Sequence, residues 1–161
     1  MAGEIYFEDN TLKVIDAVED AIEAALLECS AEVVSATARN TRVGTGQLKN
    51  SWRGETKRTS GGYEAVMGSP LENAIWEEFG TGEHAIEGNG RKGAWYVPAE
   101  GYSGKKKPSY KGKVVVVYGK GGKKYYKTDG KEPSRAFKKA IDKQKPKIAK
   151  HFRDKFGIVF K

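Results

Sequence analysis

The chain has 161 residues, of which 38% are hydrophobic and 31% are charged. This length suits one domain with a real core and is short for two. No apolar run approaches the roughly 20 residues that a membrane helix requires, and the N-terminus lacks the basic and apolar regions of a signal peptide. The single cysteine, Cys29, excludes an intramolecular disulfide and fits a reducing compartment. We therefore expect one cytoplasmic domain with no membrane contact.

The net charge of +8 is distributed unevenly along the chain. Residues 1–40 carry nine acids and two bases, residues 41–98 carry seven of each, and residues 99–161 carry twenty bases and five acids. The acidic end could fold onto the basic end, or each end could meet a different partner. A basic C-terminal third could also follow phosphates. The plainest interpretation is that the lysines keep a loop and a helix solvated.

A long amphipathic helix is predicted from about Asp9 to Arg39, because apolar residues recur there at steps of three and four. Asn10 and Thr11 offer an N-cap, and no Pro or Gly interrupts the segment. Cys29 lies on the apolar stripe, so we interpret it as a buried structural thiol and not as a nucleophile. The acids that line the exposed side are Asp16, Glu19, Asp20, Glu23 and Glu28.

A β-hairpin and a short helix are predicted in the middle of the chain. Residues 51–58 and 63–67 have strand patterns and are joined by a Ser-Gly-Gly turn at residues 60–62. Residues 71–79 then have helical spacing, and Gly80 ends that helix.

The segment from about residue 83 to 129 is rich in Gly, Lys and Tyr, and we interpret it as a basic insertion. Residues 95–98 have strand composition within it. Residues 114–118 form a β-branched run, which is typical of a strand buried on both faces or lying under helices. Residues 119–122 turn the chain into a returning strand at 123–127. Because Lys and Gly exceed apolar residues, we expect residues 99–129 to be mobile in a free subunit and ordered on assembly.

The last element predicted is a helix that opens at Glu132-Pro133-Ser134, with proline near its first turn. Pro146 is expected to kink it. The order helix, hairpin, short helix, hairpin, helix predicts one α+β domain over residues 1–161. In it the long N-terminal helix and the C-terminal helix pack on an antiparallel sheet of about four strands.

Patterns for catalysis or metal binding are nearly absent. His84 and His151 lie in separate elements, and Glu83 and Glu87 beside His84 make only a weak metal signal. Residues 119–124 have the composition of a phosphate loop, but they join two predicted strands and lack its closing Gly-Lys-Ser/Thr. We therefore expect no enzyme activity, no catalytic residue, no bound metal and no cofactor.

Tyrosines and lysines interleave between residues 102 and 127. Stacking rings among phosphate-binding cations are how single-stranded nucleic acids are held. No familiar nucleic-acid-binding motif accompanies them, and Arg is scarce beside Lys. A basic nucleic-acid-binding accessory protein is therefore an alternative function, with weak, non-specific DNA contact. The candidate phosphate-contacting lysines are Lys105, Lys106, Lys107, Lys123 and Lys124.

Three short motifs frame the chain: TGQLKNSW at residues 45–52, AIWEEFGTG at 74–82 and GKEPSRAFKKA at 130–140. In this order and on these elements they resemble the minor tail component family of tailed phages, which are small neck or tail-completion proteins. Two departures from the family pattern are Val43-Gly44 before Thr45 and Ile75-Trp76 where Tyr-Ala is frequent. The matching motif residues are Thr45, Gly46, Leu48, Ser51, Glu78, Phe79, Gly80, Thr81, Pro133, Phe137 and Ala140.

The resemblance implies a structural protein of a phage or prophage virion that completes the tail and joins it to the head. It also implies a ring, sixfold like the tail, around the passage through which DNA leaves. The implied partners are further copies of the chain, a tail terminator or tail tube protein and a head–tail connector protein. The protein would reside in the tail or neck of the virion, and in the host cytoplasm during assembly.

The motif residues also make sense as scaffolding. Gly46 permits a tight reversal, Leu48 can tuck under the first helix, Phe79 can anchor the short helix, and Gly80 supplies a left-handed C-cap. For contacts between subunits we expect charge complementarity between the acidic first helix and the basic C-terminal third, with apolar contacts supplying most of the affinity. The candidate interface residues are Asp16, Glu19, Glu23, Trp76 and Trp95.

Overall fold

Two long helices form the body of the protein in a computed structural model, which describes residue 6, residues 8–98 and residues 115–159. Helix α1 spans Thr11–Asn40 and helix α3 spans Ala136–Val159, with the shorter α2 at Asn73–Phe79. Asn40 donates a hydrogen bond to the carbonyl of Ala136, whereas Glu28 pairs with Lys155. The two long helices are therefore antiparallel, and α3 continues through Pro146.

Small side chains bring α1 and α3 together. Ala25 of α1 and Ala140 of α3 are completely buried, and Val33 and Ala36 join Ala140 in the core cluster. The distance between packed helix axes depends on the side chains at the contact, so alanines allow a close approach. The long predicted helix is confirmed to within a residue or two at each end, and Cys29 is buried on it as predicted.

The first turns of α1 differ from the predicted stripe. Val14 and Ile15 are among the recurring apolar residues that define the stripe predicted to be buried, yet each is nearly half exposed. Lys155, near the end of α3, pairs with Glu28 of α1, and a hairpin that packs along α1 binds it at Glu19. Within the described ranges, the first turn of α1 thus lies beyond both of these contacts.

The N-cap of α1 also differs from the prediction. The side chain of Asn10 makes no capping hydrogen bond. Asp9 instead accepts hydrogen bonds at Oδ1 from the Thr11 N–H, at 2.9 Å, and from the Thr11 hydroxyl, at 2.6 Å. These bonds from Thr11 lower the pKa of the Asp9 carboxyl.

Across the described ranges, seven strands form three small antiparallel sheets. Strands β1, Arg53–Thr59, and β2, Gly62–Gly68, make the predicted hairpin. Strands β3, Thr81–Gly82, and β7, Gly130–Lys131, make a two-residue pair. Strands β4, Trp95–Pro98, β5, Val115–Tyr118, and β6, Lys124–Thr128, make a sheet in the order β4–β6–β5. The α+β class is confirmed, with the strands divided among three sheets in place of one sheet of about four.

The hairpin of β1 and β2 packs along α1. An added Cβ at Gly54 would lie 3.2 Å from Cβ of Ser30, so the bare backbone of β1 approaches α1 closely there. At the far end of the hairpin, Arg58 binds both carboxylate oxygens of Glu19, at 2.8 and 2.6 Å. The hairpin therefore covers α1 from about Ser30 to about Glu19.

The strand predicted as buried on both faces or lying under helices is an edge strand of its sheet in the described residues. Tyr118 of β5 is 71% exposed and Val117 is half-buried, because β6 and not β5 lies at the centre of its sheet. A short 3-10 turn at Lys120–Gly122 joins β5 to β6. The expected mobility of residues 99–129 falls in large part outside the described residues, as do the candidate lysines Lys105, Lys106 and Lys107.

None of the helices in the described ranges is long and apolar enough to cross a membrane.

An ionic cluster joins the far half of α3 to α1. Lys155 lies 2.5 Å from Glu28, and the ring nitrogens of His151 lie 3.3 Å from Glu28 and 3.3 Å from Glu32. The hydrogen bond from Lys155, with further help from His151, holds the pKa of Glu28 below its ordinary value of 4.5. Part of the acidic helix thus pairs with the basic C-terminal third inside one chain.

This cluster predicts acid sensitivity of the helix pair. Because the folded-state pKa of Glu28 is lowered, its pairing stabilises the fold above the unfolded pKa of 4.5 and is lost as pH falls through the folded pKa. We expect Glu28→Gln to flatten the pH dependence of the free energy of unfolding in that acidic window, measured by urea denaturation. Glu23→Gln, on the exposed side of the same helix, is the control. A wild-type pH profile in Glu28→Gln would contradict the assignment.

Candidate functional site

The three motifs meet at one place, where α2 and the start of α3 pack at the C-terminal end of α1. We call this region, residues 41–52, 74–82 and 130–140, the motif junction. The contacts within the motif junction decide which side chains are buried and which are exposed to a partner.

Glu78 of the second motif caps α3, which belongs to the third. Its Oε2 accepts a hydrogen bond from the Phe137 N–H and its Oε1 accepts one from the Lys138 N–H, both at 2.9 Å. The first amides of a helix have no acceptor within the helix, and a carboxylate also complements the positive end of the helix dipole. Ser134, which we expected at the opening of this helix, does not cap it, because its buried hydroxyl has no hydrogen-bond partner. Glu78 therefore fixes α3 to α2.

Glu77 ties α2 to the chain just before α3. Its buried carboxylate forms an ion pair with Lys131, and its backbone carbonyl accepts the Ser134 N–H at 2.6 Å. The Thr81 hydroxyl accepts the Lys131 N–H at 3.0 Å, beside the β3–β7 pairing of Thr81 with Lys131. The end of α2 is thus held by backbone, hydroxyl and charge contacts together.

Gly80 permits this close approach. Its φ is +77°, its N–H donates to the carbonyl of Trp76, and it ends α2 as predicted. A Cβ added here would lie 2.7 Å from the His84 carbonyl oxygen and 2.9 Å from both the Lys131 carbonyl oxygen and Cδ of Pro133. Both the left-handed backbone and the lack of space therefore require glycine.

The first motif completes the junction through Trp52. Its ring stacks on Phe137, with centroids 5.8 Å apart and planes at 5°, and its Nε1 donates to the hydroxyl of Thr41 at 2.9 Å. The prediction that Leu48 is buried is confirmed. The Ser51 hydroxyl lies 2.8 Å from the Leu48 carbonyl oxygen, to which it donates.

The turn before Trp52 has the predicted glycine. Gly46 adopts a φ of +86°, and the hydroxyl of Thr45 accepts the Gln47 N–H at 3.3 Å. Arg42, just before the motif, donates to the carbonyl of Glu132 at 3.0 Å. The segment just before the first motif therefore also contacts the third motif.

Phe79 is not the anchor that we expected. It is 47% exposed, and the buried residues of α2 are Ala74 and Glu77. Burial of a charged glutamate in place of a phenylalanine is possible because Lys131 neutralises it. An apolar motif residue followed by Gly suggests core packing, so the sequence pattern alone wrongly predicted Phe79 as the anchor of the short helix.

An apolar surface results on the outside of α2. We call it the α2 apolar surface: Ile75, Trp76, Phe79 and Ile86, each between 46% and 61% exposed. Ile75 and Phe79 are one helical turn apart, and the Ile86 N–H donates to the Phe79 carbonyl at 3.0 Å, so these side chains are neighbours. Grouped apolar side chains on a surface mark sites of protein contact.

The acidic candidate interface residues lie elsewhere, on α1. Asp16, Glu19 and Glu23 line an open cleft between α1 and the β1–β2 hairpin, and Glu19 is bound by Arg58. Within the described ranges Asp16 and Glu23 form no ion pair. Trp95 is half-buried under the guanidinium of Arg91, whose carbon lies 5.2 Å from the ring centroid.

Residues with possible chemical roles have structural partners. His84 lies 3.5 Å from Asp129, Glu83 accepts the Gly93 N–H, and Glu87 accepts a bond from Asn89. The described residues contain no group of three or more His, Cys, Asp or Glu that could hold a metal ion. The Gly-rich segment after β5 is a turn between two paired strands, as predicted, and not a phosphate loop.

Cys29 is poorly suited to nucleophilic chemistry. Burial, followed by the nearby carboxylates of Glu32 and Glu28, raises the pKa of its thiol. A protonated, buried thiol is a weak nucleophile.

Replacement of Glu78 tests the cap on α3. We expect Glu78→Ala to lower the free energy of unfolding by about 1–2 kcal/mol, because two charge-assisted hydrogen bonds to a helix N-terminus are lost. Glu72→Ala, at the exposed start of α2, is the matched control and should change it by less than about 0.5 kcal/mol. Urea denaturation measures both, and equal losses in the two variants would argue against the cap.

Comparison with known proteins agrees with the resemblance. Residues 7–80 match the family described as "HK97-gp10_like: Bacteriophage HK97-gp10, putative tail-component". The matched segment covers α1, the β1–β2 hairpin and α2, and hence the first two motifs, while the third lies beyond it. No curated protein and no solved structure matches the chain. The resemblance drawn from the motifs is thus confirmed over residues 7–80, where the chain is similar to a tailed-phage tail-component family, and this similarity indicates a structural place in the virion.

Proposed function

We propose that the protein completes the tail of a phage or prophage and joins it to the head, as a neck component that acts by ring assembly and protein contacts and has no catalytic activity. The family match over residues 7–80 supports a tail component. The proposal goes further in naming the head–tail joint, the sixfold ring and the partners, which are further copies of the chain, a tail terminator or tail tube protein and a connector protein.

The α2 apolar surface is the observation that carries this proposal. Tryptophan is among the residues that most often dominate binding energy at protein interfaces, and Trp76 is 48% exposed on a helix held by the motif junction. The Glu78 cap, the Glu77 ion pair and Gly80 fix the backbone around it. A surface held rigid before binding loses little conformational freedom on association, which favours affinity.

The distribution of charge supports contacts between copies. Helix α1 has 30 residues, which corresponds to about 45 Å, and its acidic first half points away from α2 and the start of α3. Glu28 and Glu32 are paired with α3, but Asp16 and Glu23 are left to the surface. One end of the molecule is acidic and the other carries the α2 apolar surface, and two such different ends suit a head-to-tail contact between copies. Head-to-tail contacts close into rings when the rotation between copies permits.

The nucleic-acid alternative retains one observation in its favour. Tyr118 is exposed and is paired directly with Lys124 across β5 and β6, so a ring and a cation lie side by side. This pair would suit weak contact with a phosphate backbone, in keeping with a neck protein that surrounds passing DNA. Weak DNA contact is therefore a second candidate function, and the salt dependence of DNA binding tests it.

Head–tail joining can be tested in the phage or prophage that encodes the chain. Deletion of the gene should leave filled heads and separate tails in electron micrographs, and addition of purified protein should restore joined particles. Trp76→Ser should fold yet fail to restore them, because the α2 apolar surface loses its largest side chain.

The control for Trp76→Ser is Leu27→Ser, which alters an exposed apolar residue on α1. It should restore joining as the wild type does. Joined, infectious particles in the absence of the gene product would refute the proposed function, and normal joining by Trp76→Ser would remove α2 from it.

A further inference from the structure

One face of the β4–β6–β5 sheet is open, basic and aromatic. Side chains alternate along a strand, so Lys123, Tyr125 and Lys127 point to the same side of β6, with Lys123 extended (φ −67°, ψ 134°) just before the strand. Cross-strand pairing adds Tyr96 opposite Lys127 and Pro98 opposite Tyr125. We call these five residues the Tyr96–Lys127 face.

Among the described residues, no acidic side chain pairs with the lysines of this face. Tyr96 is 55% exposed, and Pro98, Lys123 and Lys127 are exposed beside it, while Tyr125 is half-buried. Within the part of the chain that the structure describes, neither Lys123 nor Lys127 forms an ion pair. The face combines cations with apolar ring surface, which suits an acidic partner that also carries apolar side chains.

The first half of α1 has the complementary composition. Between residues 8 and 23 the described chain carries six acids and one base. Leu12, 76% exposed, lies one turn before Asp16, and Ile15 lies one turn before Glu19. Apolar side chains therefore flank the acids on the first half of α1, where Asp16 and Glu23 line the open cleft beside the β1–β2 hairpin.

The spacing of two acids on α1 is also similar to the spacing of two lysines on the sheet. Asp16 and Glu23 are seven residues apart on one side of a helix, a rise of about 10.5 Å. Lys123 and Lys127 are four residues apart in an extended strand, about 13 Å. Long, flexible lysine side chains can span the difference, so both acids can be met at once.

The two surfaces are attached at opposite ends of α1. The sheet is joined through β3 and β7 to the motif junction, at the C-terminal end of α1, whereas Asp16 lies in the second turn of the same uninterrupted helix. Along the helix axis, Asp16 lies about 36 Å from Asn40 at the junction end. This separation favours contact between the acidic part of α1 in one copy and the sheet of another.

We propose that the first half of α1 in one copy docks on the Tyr96–Lys127 face of a second copy. The contact is heterologous, because the two surfaces differ, so it repeats around a ring. It deepens the proposed function, on which it rests, by naming the surfaces through which copies join. Charge steers the approach, while Leu12, Ile15 and Tyr96 exclude water from the contact.

The experiment uses paired charge reversals in the full chain. The helix variant is Asp16→Lys with Glu23→Lys, and the sheet variant is Lys123→Glu with Lys127→Glu. The matched control is Lys143→Glu with Lys147→Glu, which makes the same change in net charge as the sheet variant, on exposed positions of α3. Circular dichroism verifies folding, and sedimentation velocity measures association at low and at physiological salt.

The wild type and the control variant should associate equally, and higher salt should weaken both. Each reversal variant alone should associate about tenfold more weakly or worse, because like charges then face each other. An equimolar mixture of the two reversal variants should recover association, since the reversed helix of one then meets the reversed sheet of the other. That recovery cannot come from a general loss of stability.

Wild-type association in both reversal variants, or no recovery in the mixture of folded variants, would overturn the docking model while leaving the head–tail role intact. Reversal of the sheet that abolishes binding to a fluorescent single-stranded oligonucleotide but leaves association unchanged would assign the face to nucleic acid instead. A wild-type chain that never self-associates, even at its highest soluble concentration, would contradict both the docking and the ring.

Discussion

Helix α3 begins with amide groups that its own turns cannot satisfy, and the structure supplies the missing acceptor from another element. The Glu78 carboxylate receives the N–H groups of Phe137 and Lys138 at 2.9 Å, although 59 and 60 residues of chain separate them. Because a buried unpaired amide costs free energy, this contact fixes the direction in which α3 leaves the junction. The long α1–α3 pair and the placement of α2 both follow from that direction.

The junction matters more here than in a protein with a large core. The buried apolar residues are mainly alanines, with Val33 and Leu48 among the larger ones, so apolar burial at each position is modest. Specific polar contacts and the stacking of Trp52 on Phe137 supply the orientation that bulky side chains would otherwise impose. The same arrangement turns Glu77 inward and leaves Ile75, Trp76 and Phe79 outward. We propose this outward surface as the site at which the protein contacts its neighbours in the tail.

Much of this fold is encoded locally and could be predicted. The period of α1, the turn between β1 and β2 and the left-handed Gly80 each depend on residues close in sequence. The exposure of Phe79 could not be predicted, because whether an apolar residue is buried depends on what packs beside it. The β3–β7 pair has two residues a side, too short for any periodic signal. The capping role of Glu78 could not be predicted for a different reason, since the N–H groups that donate to its carboxylate lie in a distant segment.

Which acids of α1 form ion pairs could not be predicted from the sequence either. Its charges are uniform along the sequence, yet Glu28 and Glu32 meet His151 and Lys155 while Asp16 and Glu23 line an open cleft. Sequence left internal pairing and pairing between copies as alternatives. Among the described residues, α3 pairs only with acids in the second half of α1, at Glu28 and Glu32. The acids in the first half of α1 have no ion-pair partner on the described part of α3.

The central claim is that the three motifs form one cooperative unit around Phe137, and a double-mutant cycle tests it most directly. Trp52→Ala removes the ring stacked on Phe137, and Glu78→Ala removes the acceptor of its amide. If the motifs act together, the free energies of unfolding should show a coupling of about 0.5–3 kcal/mol between the two substitutions. Losses that add to within about 0.3 kcal/mol would contradict the claim and make the junction a set of independent contacts.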